Sequence, residues 1–305
     1  MGFLDALKRS NTQMTVTVEP AEALPGQEVL VRVTIEGEID DKTQAAGVGL
    51  RCMNLYLVRE RDDDDGDVDE RWRAQKLHEE RQELPLTQGT HEFKFVVPPG
   101  APPSCKEAVK WSAWAELDRR HGRDVSGTAD VSVGVNPQDL PTERPPSVAG
   151  EGGLTFSELP TSVAAGSDLQ GTLEITPPDD GKVTVSVRLI RRRKYSGQTL
   201  EGYDSSRIAS ATVGGVGISL RDGGISFGSA KSTIEKTDDV AETKVCEKRE
   251  VRAGATERLT FSLPVPEDAD PPVAVAHAVV EYELEARIER RMRSDHKVVA
   301  PMFVR

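Results

Sequence analysis

Apolar residues in this chain recur at every second position rather than every third or fourth, and a period of two fits strands and excludes amphipathic helices. After a turn at Pro25-Gly26, the residues Val29, Val31, Val33 and Ile35 share one phase and are expected to face a core. The same rule groups Phe93, Phe95 and Val97, then Val109, Trp111, Ala113, Ala115 and Leu117, then Ala129, Val131, Val133 and Val135. Met14-Thr15-Val16-Thr17-Val18 is the earliest such run. Between Val48 and Val58 the phase changes, because Val48, Leu50 and Cys52 hold one face and Leu55 and Leu57 the other. A bulge near Met53-Asn54 is expected to reconcile them.

The alternation stops between Asn136 and Gly153, where Pro137, Pro141, Pro145 and Pro146 arrive with Gly150, Gly152 and Gly153. Proline removes ladder donors and glycine adds chain freedom, so this stretch is expected to link two domains. Alternation resumes through Leu169, Leu173 and Ile175, through Val183, Val185, Val187 and Leu189, through Leu259, Phe261 and Leu263, and through Val280, Tyr282, Leu284, Ala286 and Ile288. A length of 305 residues suits two domains of ordinary size. The expected organisation is a β-sandwich over 1–135, a Pro/Gly-rich linker over 136–153 and a second β-sandwich over 154–305.

The halves repeat each other. Gly89-Thr90-His91-Glu92-Phe93-Lys94-Phe95-Val96-Val97-Pro98 is answered by Gly254-Ala255-Thr256-Glu257-Arg258-Leu259-Thr260-Phe261-Ser262-Leu263-Pro264. Val109 to Leu117 matches Val280 to Ile288 in phase, and Leu24-Pro25-Gly26-Gln27-Glu28-Val29 is echoed by Val163 to Leu169. Three matches in one order are the mark of a duplicated unit. A glycine turn before the second strand, a glycine followed by His-x-Phe-x-Phe-x-x-Pro, and a later aromatic-rich strand ending in charge resemble the arrestin fold in both halves. Among arrestin-like proteins the chain looks closest to the bacterial sporulation-control family, whose members similarly begin with a short apolar segment. The resemblance implies two tandem immunoglobulin-like or arrestin-like sandwiches. It also implies a cytoplasmic, non-catalytic adaptor or scaffold in sporulation, stress or cell-envelope regulation, in a fold group that also includes membrane-trafficking subunits.

Charge narrows the partners. A formal net charge of −12 and a pI near 5.1 disfavour non-specific attraction to phosphate backbones and anionic lipid. The expected partners are proteins bound at sheet edges, in an interdomain groove or at an insertion over 214–229, with self-association through edge pairing as the alternative. Nucleic acid is not expected, and membrane contact only peripherally. Cys52, Cys105 and Cys246 are odd in number and widely spaced, which fits a reduced cytoplasm. No run of about 18 apolar residues occurs, and the first residues carry no cleavage signal of a secreted chain. Phe3, Leu4 and Leu7 are expected to share one face of a short N-terminal helix.

No residue set emerges as catalytic, cofactor-binding or metal-ligating, and no enzyme activity is expected. The acidic run Asp62-Asp63-Asp64-Asp65-Gly66-Asp67-Val68-Asp69-Glu70 invites calcium, yet with Gly66 at position six of a calcium loop, position one is Arg61 and position twelve is Trp72. A solvated loop is the better expectation. Arg188-Leu189-Ile190-Arg191-Arg192-Arg193-Lys194 is the most basic stretch, and its arginines are expected on the outer face and exit of a strand. Gly214 to Ser232 resembles a phosphate loop in composition, but Ser229 and Ala230 separate Gly228 from Lys231, and an inserted hairpin is expected. His78, His91, His121, His277 and His296 show no ligand spacing, and no Gly-x-Ser-x-Gly elbow is present.

Overall fold

A computed structural model describes residues 11–39, 41, 43–61, 68–120, 124–143, 145–197, 233–289 and 295–305. The strands, in chain order, are β1 (Gln13–Glu19), β2 (Glu22–Ala23), β3 (Glu28–Glu36), β4 (Thr43–Arg61), β5 (Val68–Glu83), β6 (Gly89–Val96), β7 (Val109–Arg119) and β8 (Val125–Val133). They continue as β9 (Val148–Ala149), β10 (Leu154–Ser157), β11 (Asp168–Ile175), β12 (Gly181–Ser196), β13 (Thr233–Val251), β14 (Glu257–Pro264), β15 (Val273–Val275), β16 (Ala278–Glu289) and β17 (His296–Met302). Among the described residues the only helical turns are two 3-10 segments, Pro137–Asp139 and Glu151–Gly153. None of the described helices is long and apolar enough to cross a membrane. The expected helix at Phe3, Leu4 and Leu7 lies outside the described residues, as does the 214–229 insertion.

The chain is all-β with sandwich character, and it divides into two compact units. One unit gathers the described residues up to Tyr56 with Trp72–Asn136; the other gathers Leu57–Arg71 with the described residues from Pro137 to Arg305. The first unit holds the sheet β1-β3-β6 and most of the sheet β2-β8-β7-β4-β5. The second holds β14-β11-β10-β9 and β13-β12-β16-β15, with β17 also on β16. Within 136–153, Val148 and Ala149 pair with Phe156 and Thr155.

Alternation does what a half-buried strand requires. Val29, Val31, Val33 and Ile35 are buried while Arg32 and Thr34 face outward. Val183, Val185, Val187 and Leu189 are buried on β12, opposite Ile288, Ala286 and Leu284 of β16.

Strand pairing makes the internal repeat concrete. β3 pairs β1 and β6 as β11 pairs β10 and β14, and β7 lies between β4 and β8 as β16 lies between β12 and β17. The turn bonds repeat as well. Gly26 N donates to Val97 O (2.8 Å) and Val97 N to Gln27 O (2.9 Å); Gly166 N donates to Val265 O (3.1 Å) and Val265 N to Ser167 O (3.0 Å). Gly26 and Gly166 have φ of +85° and +76°, a left-handed conformation that glycine adopts without a Cβ penalty.

Three expectations are corrected. Against β7 no register shift falls at Met53-Asn54: β4 pairs β7 in register from Ala45 to Asn54, and the irregularity of that pairing lies at Thr43/Ala45. Asn54 itself continues the core phase, fully buried, because its Nδ2 donates to Leu55 O (3.0 Å) and Ala108 O (3.1 Å). Phe93 is half-buried rather than a full core residue. Trp114 and Ser112, outside the core phase of β7, are buried too. Trp114 lies against Gly49, where a Cβ would meet its Nε1 at 2.8 Å, and Arg81 stacks on its ring at 5.6 Å.

Candidate functional site

The basic run of β12 sits between two acidic strands. Opposite residues of an antiparallel pair share a face, so Arg188 and Arg192 lie on the outer face with Glu285 and Glu281, whereas Arg191 and Arg193 share the core face with Tyr282 and Val280. The expectation that these arginines all point outward therefore fails for Arg191 and Arg193. They fit inside because carboxylates meet them there. Arg193 Nη2 donates to Asp238 Oδ2 at 2.5 Å, and Arg191 reaches the same oxygen at 3.3 Å and Asp270 Oδ2 at 3.7 Å. Buried charge persists only when paired in this way.

On the outer face, Arg188 donates to Glu285 Oε1 through Nε (3.0 Å) and Nη2 (2.7 Å), and its Nη1 meets Asp239 Oδ2 at 3.1 Å. Arg192 Nε donates to Glu283 Oε2 at 2.7 Å. Burial lowers the pKa of Arg188, but the bonds and charges of Glu285 and Asp239 outweigh it, and the net shift is upward. Glu281 moves upward too, chiefly by burial, with Lys194 opposing. The most basic stretch of the chain is thus a ladder of ion pairs joining β13, β12 and β16. Of its carboxylates, Glu281, Glu283 and Glu285 alternate along β16, whereas Asp238 and Asp239 are adjacent on β13. That alternation was visible; which strand it faced was not.

The repeat places a counterpart in the first unit. Cys52 pairs with Trp111 in β4–β7 as Arg191 pairs with Tyr282 in β12–β16. Here Trp111 Nε1 donates to Pro102 O at 2.9 Å, and the His78 ring lies 6.0 Å from the Trp111 ring. A cysteine and a histidine thus converge on one tryptophan, although 26 positions separate them in the chain. Burial raises the pKa of Cys52 strongly, so the group is a packed thiol and not a thiolate nucleophile. Cys105 is likewise buried, and Cys246 is half-exposed on β13.

His78 Nε2 is buried with no hydrogen-bond partner among the described residues, and burial lowers the pKa of the ring, against the raising influence of Glu80 and Glu79. The unfolded chain therefore takes up a proton before the folded one does. Stability of the first unit is expected to hold above pH 6.5, the ordinary value, and to fall as pH drops below it. Thermal melts between neutral and mildly acidic pH measure this, and His78→Gln is expected to flatten that part of the profile. An unchanged slope in the variant refutes the assignment.

The remaining candidates stand apart. Asp62 to Asp67, Gly214 to Ser232 and His121 lie outside the described residues. Asp69 and Glu70 belong to β5, where Asp69 meets Arg71 (3.6 Å) and Glu70 meets Lys236 (3.1 Å) and Arg59 (3.5 Å). Hydrogen bonding to Lys236 lowers the pKa of Glu70. His277 Nδ1 is 2.8 Å from Ser196 O, and His91 Nε2 is 2.9 Å from Thr87 O. Among the described residues no group of three or more His, Cys, Asp or Glu side chains is placed to hold a metal ion.

What the fold does offer is strand edges. β5 and β13 are 16 and 19 residues long, and each pairs on one side only among the described strands. Trp72 stands on β5, 48% exposed. β13 is dense in charge and its register against β12 shifts three times, devices that blunt an edge against indiscriminate pairing. No known family model matches the chain, and no curated protein matches it at a significant level.

Proposed function

We propose that the chain is a non-catalytic, arrestin-like adaptor of the bacterial cytoplasm that holds protein partners at its strand edges and serves sporulation, stress or cell-envelope regulation. The observation that carries this reading is the pair of long edge strands, β5 and β13, each the second arm of a hairpin whose first arm is fixed in a sheet. An edge strand presents backbone donors and acceptors to an extended segment of a partner, and the side chains beside it supply selectivity. The duplicated turn bonds and strand order support the tandem arrangement that the resemblance implies. Three cysteines outside any disulfide, two of them buried, support a reducing compartment.

Quantitative affinity capture from native cytoplasm and from detergent-solubilised membrane tests the reading, with the intact chain compared to one lacking residues 214–229. The expected result is a partner protein retained in stoichiometric amount, and its loss with the deletion would place recognition at the insertion rather than at an edge. Capture of nothing but the chain itself sinks the adaptor reading.

A further inference from the structure

Among the described strands, one edge of the first unit is open where its counterpart in the second is closed. Val97 exchanges its backbone bonds with the Gly26-Gln27 turn that leads into β3, and along an antiparallel strand the direction of N–H and C=O alternates. His91, Phe93 and Phe95 therefore bond to β3, and Thr90, Glu92, Lys94 and Val96 turn their backbone groups to the free edge of β6. Gln82 Nε2, which donates to Lys94 O at 2.9 Å, caps one of these groups. In the second unit Val265 holds the place of Val97, so Pro264 holds the place of Val96. Proline has no N–H to offer and closes that edge. Val96 has one, and its side chain is 48% exposed.

We propose that β6 is a dimer edge, pairing antiparallel with β6 of a second copy of this chain about a two-fold axis at Phe93. The register follows from symmetry and charge. A two-fold axis normal to the sheet sets a residue opposite itself or opposite one an even number of positions away. Centred on Glu92 or Lys94 it would bring like charges together. Centred on Phe93 it sets Glu92 opposite Lys94 of the second copy, and Thr90 opposite Val96, twice each. All four are residues whose backbone groups point outward, so these become the hydrogen-bonded pairs of the new ladder.

The charges beside the edge extend the match. Within one chain Arg32 bridges Glu19 and Glu92, both at 2.7 Å, and Lys94 bridges Glu28 at 2.8 Å. Across the axis these join into one row of alternating sign, Glu19, Arg32, Glu92, then Lys94 and Glu28 of the second copy. Phe93, half-buried in one chain, faces its own copy across the closely spaced non-bonded position. Its counterpart Phe261 needs no such cover, being buried against Phe156 at 6.0 Å. The incoming strand displaces Gln82 from Lys94 O and replaces its bond. The proposal stands apart from the adaptor reading, because β6 is a different sheet edge from β5 and β13.

Sedimentation equilibrium of the intact chain across the micromolar range tests it, with thermal melts of every variant as the check on folding. The intact chain is expected to dimerise. Glu92→Lys and Lys94→Glu each set like charges opposite one another twice, and each is expected to weaken the dimer roughly tenfold or more. Mixed together, these two variants are expected to restore a dimer containing one of each, because the lysine introduced at 92 then meets the glutamate introduced at 94. Val96→Pro, which copies the second unit, is expected to give a folded monomer. An intact chain that stays monomeric, a dimer indifferent to both charge substitutions, or charge variants that fail to combine overturns the proposal.

Discussion

Asp238→Ala is expected to cost the second unit about 2–3 kcal/mol, read from urea unfolding followed by far-UV circular dichroism. Asp238 Oδ2 accepts from Arg193 at 2.5 Å and from Arg191 at 3.3 Å, so one carboxylate balances two guanidiniums on the core face. The Arg193 side chain is only 9% exposed, and loss of its partner leaves charge where water reaches poorly. Removing one partner of a fully buried pair costs roughly 3–5 kcal/mol. The lower figure applies because Asp238 is itself 39% exposed and partly screened. All three tryptophans, Trp72, Trp111 and Trp114, belong to the first unit, so tryptophan fluorescence should keep its midpoint while the circular dichroism transition moves.

A second variant separates pairing from packing. Replacing Arg191, Arg193, Asp238 and Asp270 together by apolar residues of similar volume, so that no carboxylate is left without its cation, is expected to recover most of the loss, since a buried ionic cluster contributes little net stability over a hydrophobic one. If Asp238→Ala shifts stability by less than about 0.5 kcal/mol, the level of an ordinary surface change, the cluster is solvent-screened and the account is wrong.

These arginines also mark where pattern ceases to inform. The period of two identified β3, β7, β11 and β16 because it depends only on the strand's own pleat. It assigned Val29 to Ile35 and Val280 to Ile288 to the core, and they are there. For Arg191 and Arg193 the same period gives a core position, and polarity argues against it. The contest is decided by Asp238 and Asp270, which lie 45 and 79 positions beyond Arg193 and Arg191 and come close only in the folded sheet. Asn54 is the same case in the first unit: it keeps the core phase because two carbonyls satisfy it. The expected bulge rested on the change of phase from Cys52 to Leu55, and that change says nothing of the carbonyls that satisfy Asn54. Trp114 was hidden for a different reason, since the two glycines that make room for it and for Arg81, Gly49 and Gly47, lie on a neighbouring strand. The repeat was legible because glycine turns and proline stops are local chemistry. Its consequence at the β6 edge was not, because the direction of each backbone group depends on which neighbour a strand adopts.

Trp111→Ala is expected to be the most damaging single change, lowering the stability of the first unit by about 3–5 kcal/mol. Trp111 is fully buried between Cys52 of β4 and Val131 of β8, so truncation removes a large apolar volume from the middle of a sheet. It also strips Pro102 O of the Nε1 donor at 2.9 Å, leaving a buried carbonyl without that bond. Trp111→Phe keeps most of the volume but not the donor, and it should cost roughly 1–3 kcal/mol. Set against a typical domain stability of about 5–15 kcal/mol, the alanine variant falls near the limit of folding. Trp114 remains as the fluorescent reporter in both variants, so urea midpoints compare directly. A loss for alanine no greater than that for phenylalanine would mean that the hydrogen bond, and not the packing around Cys52 and His78, fixes this part of the sandwich.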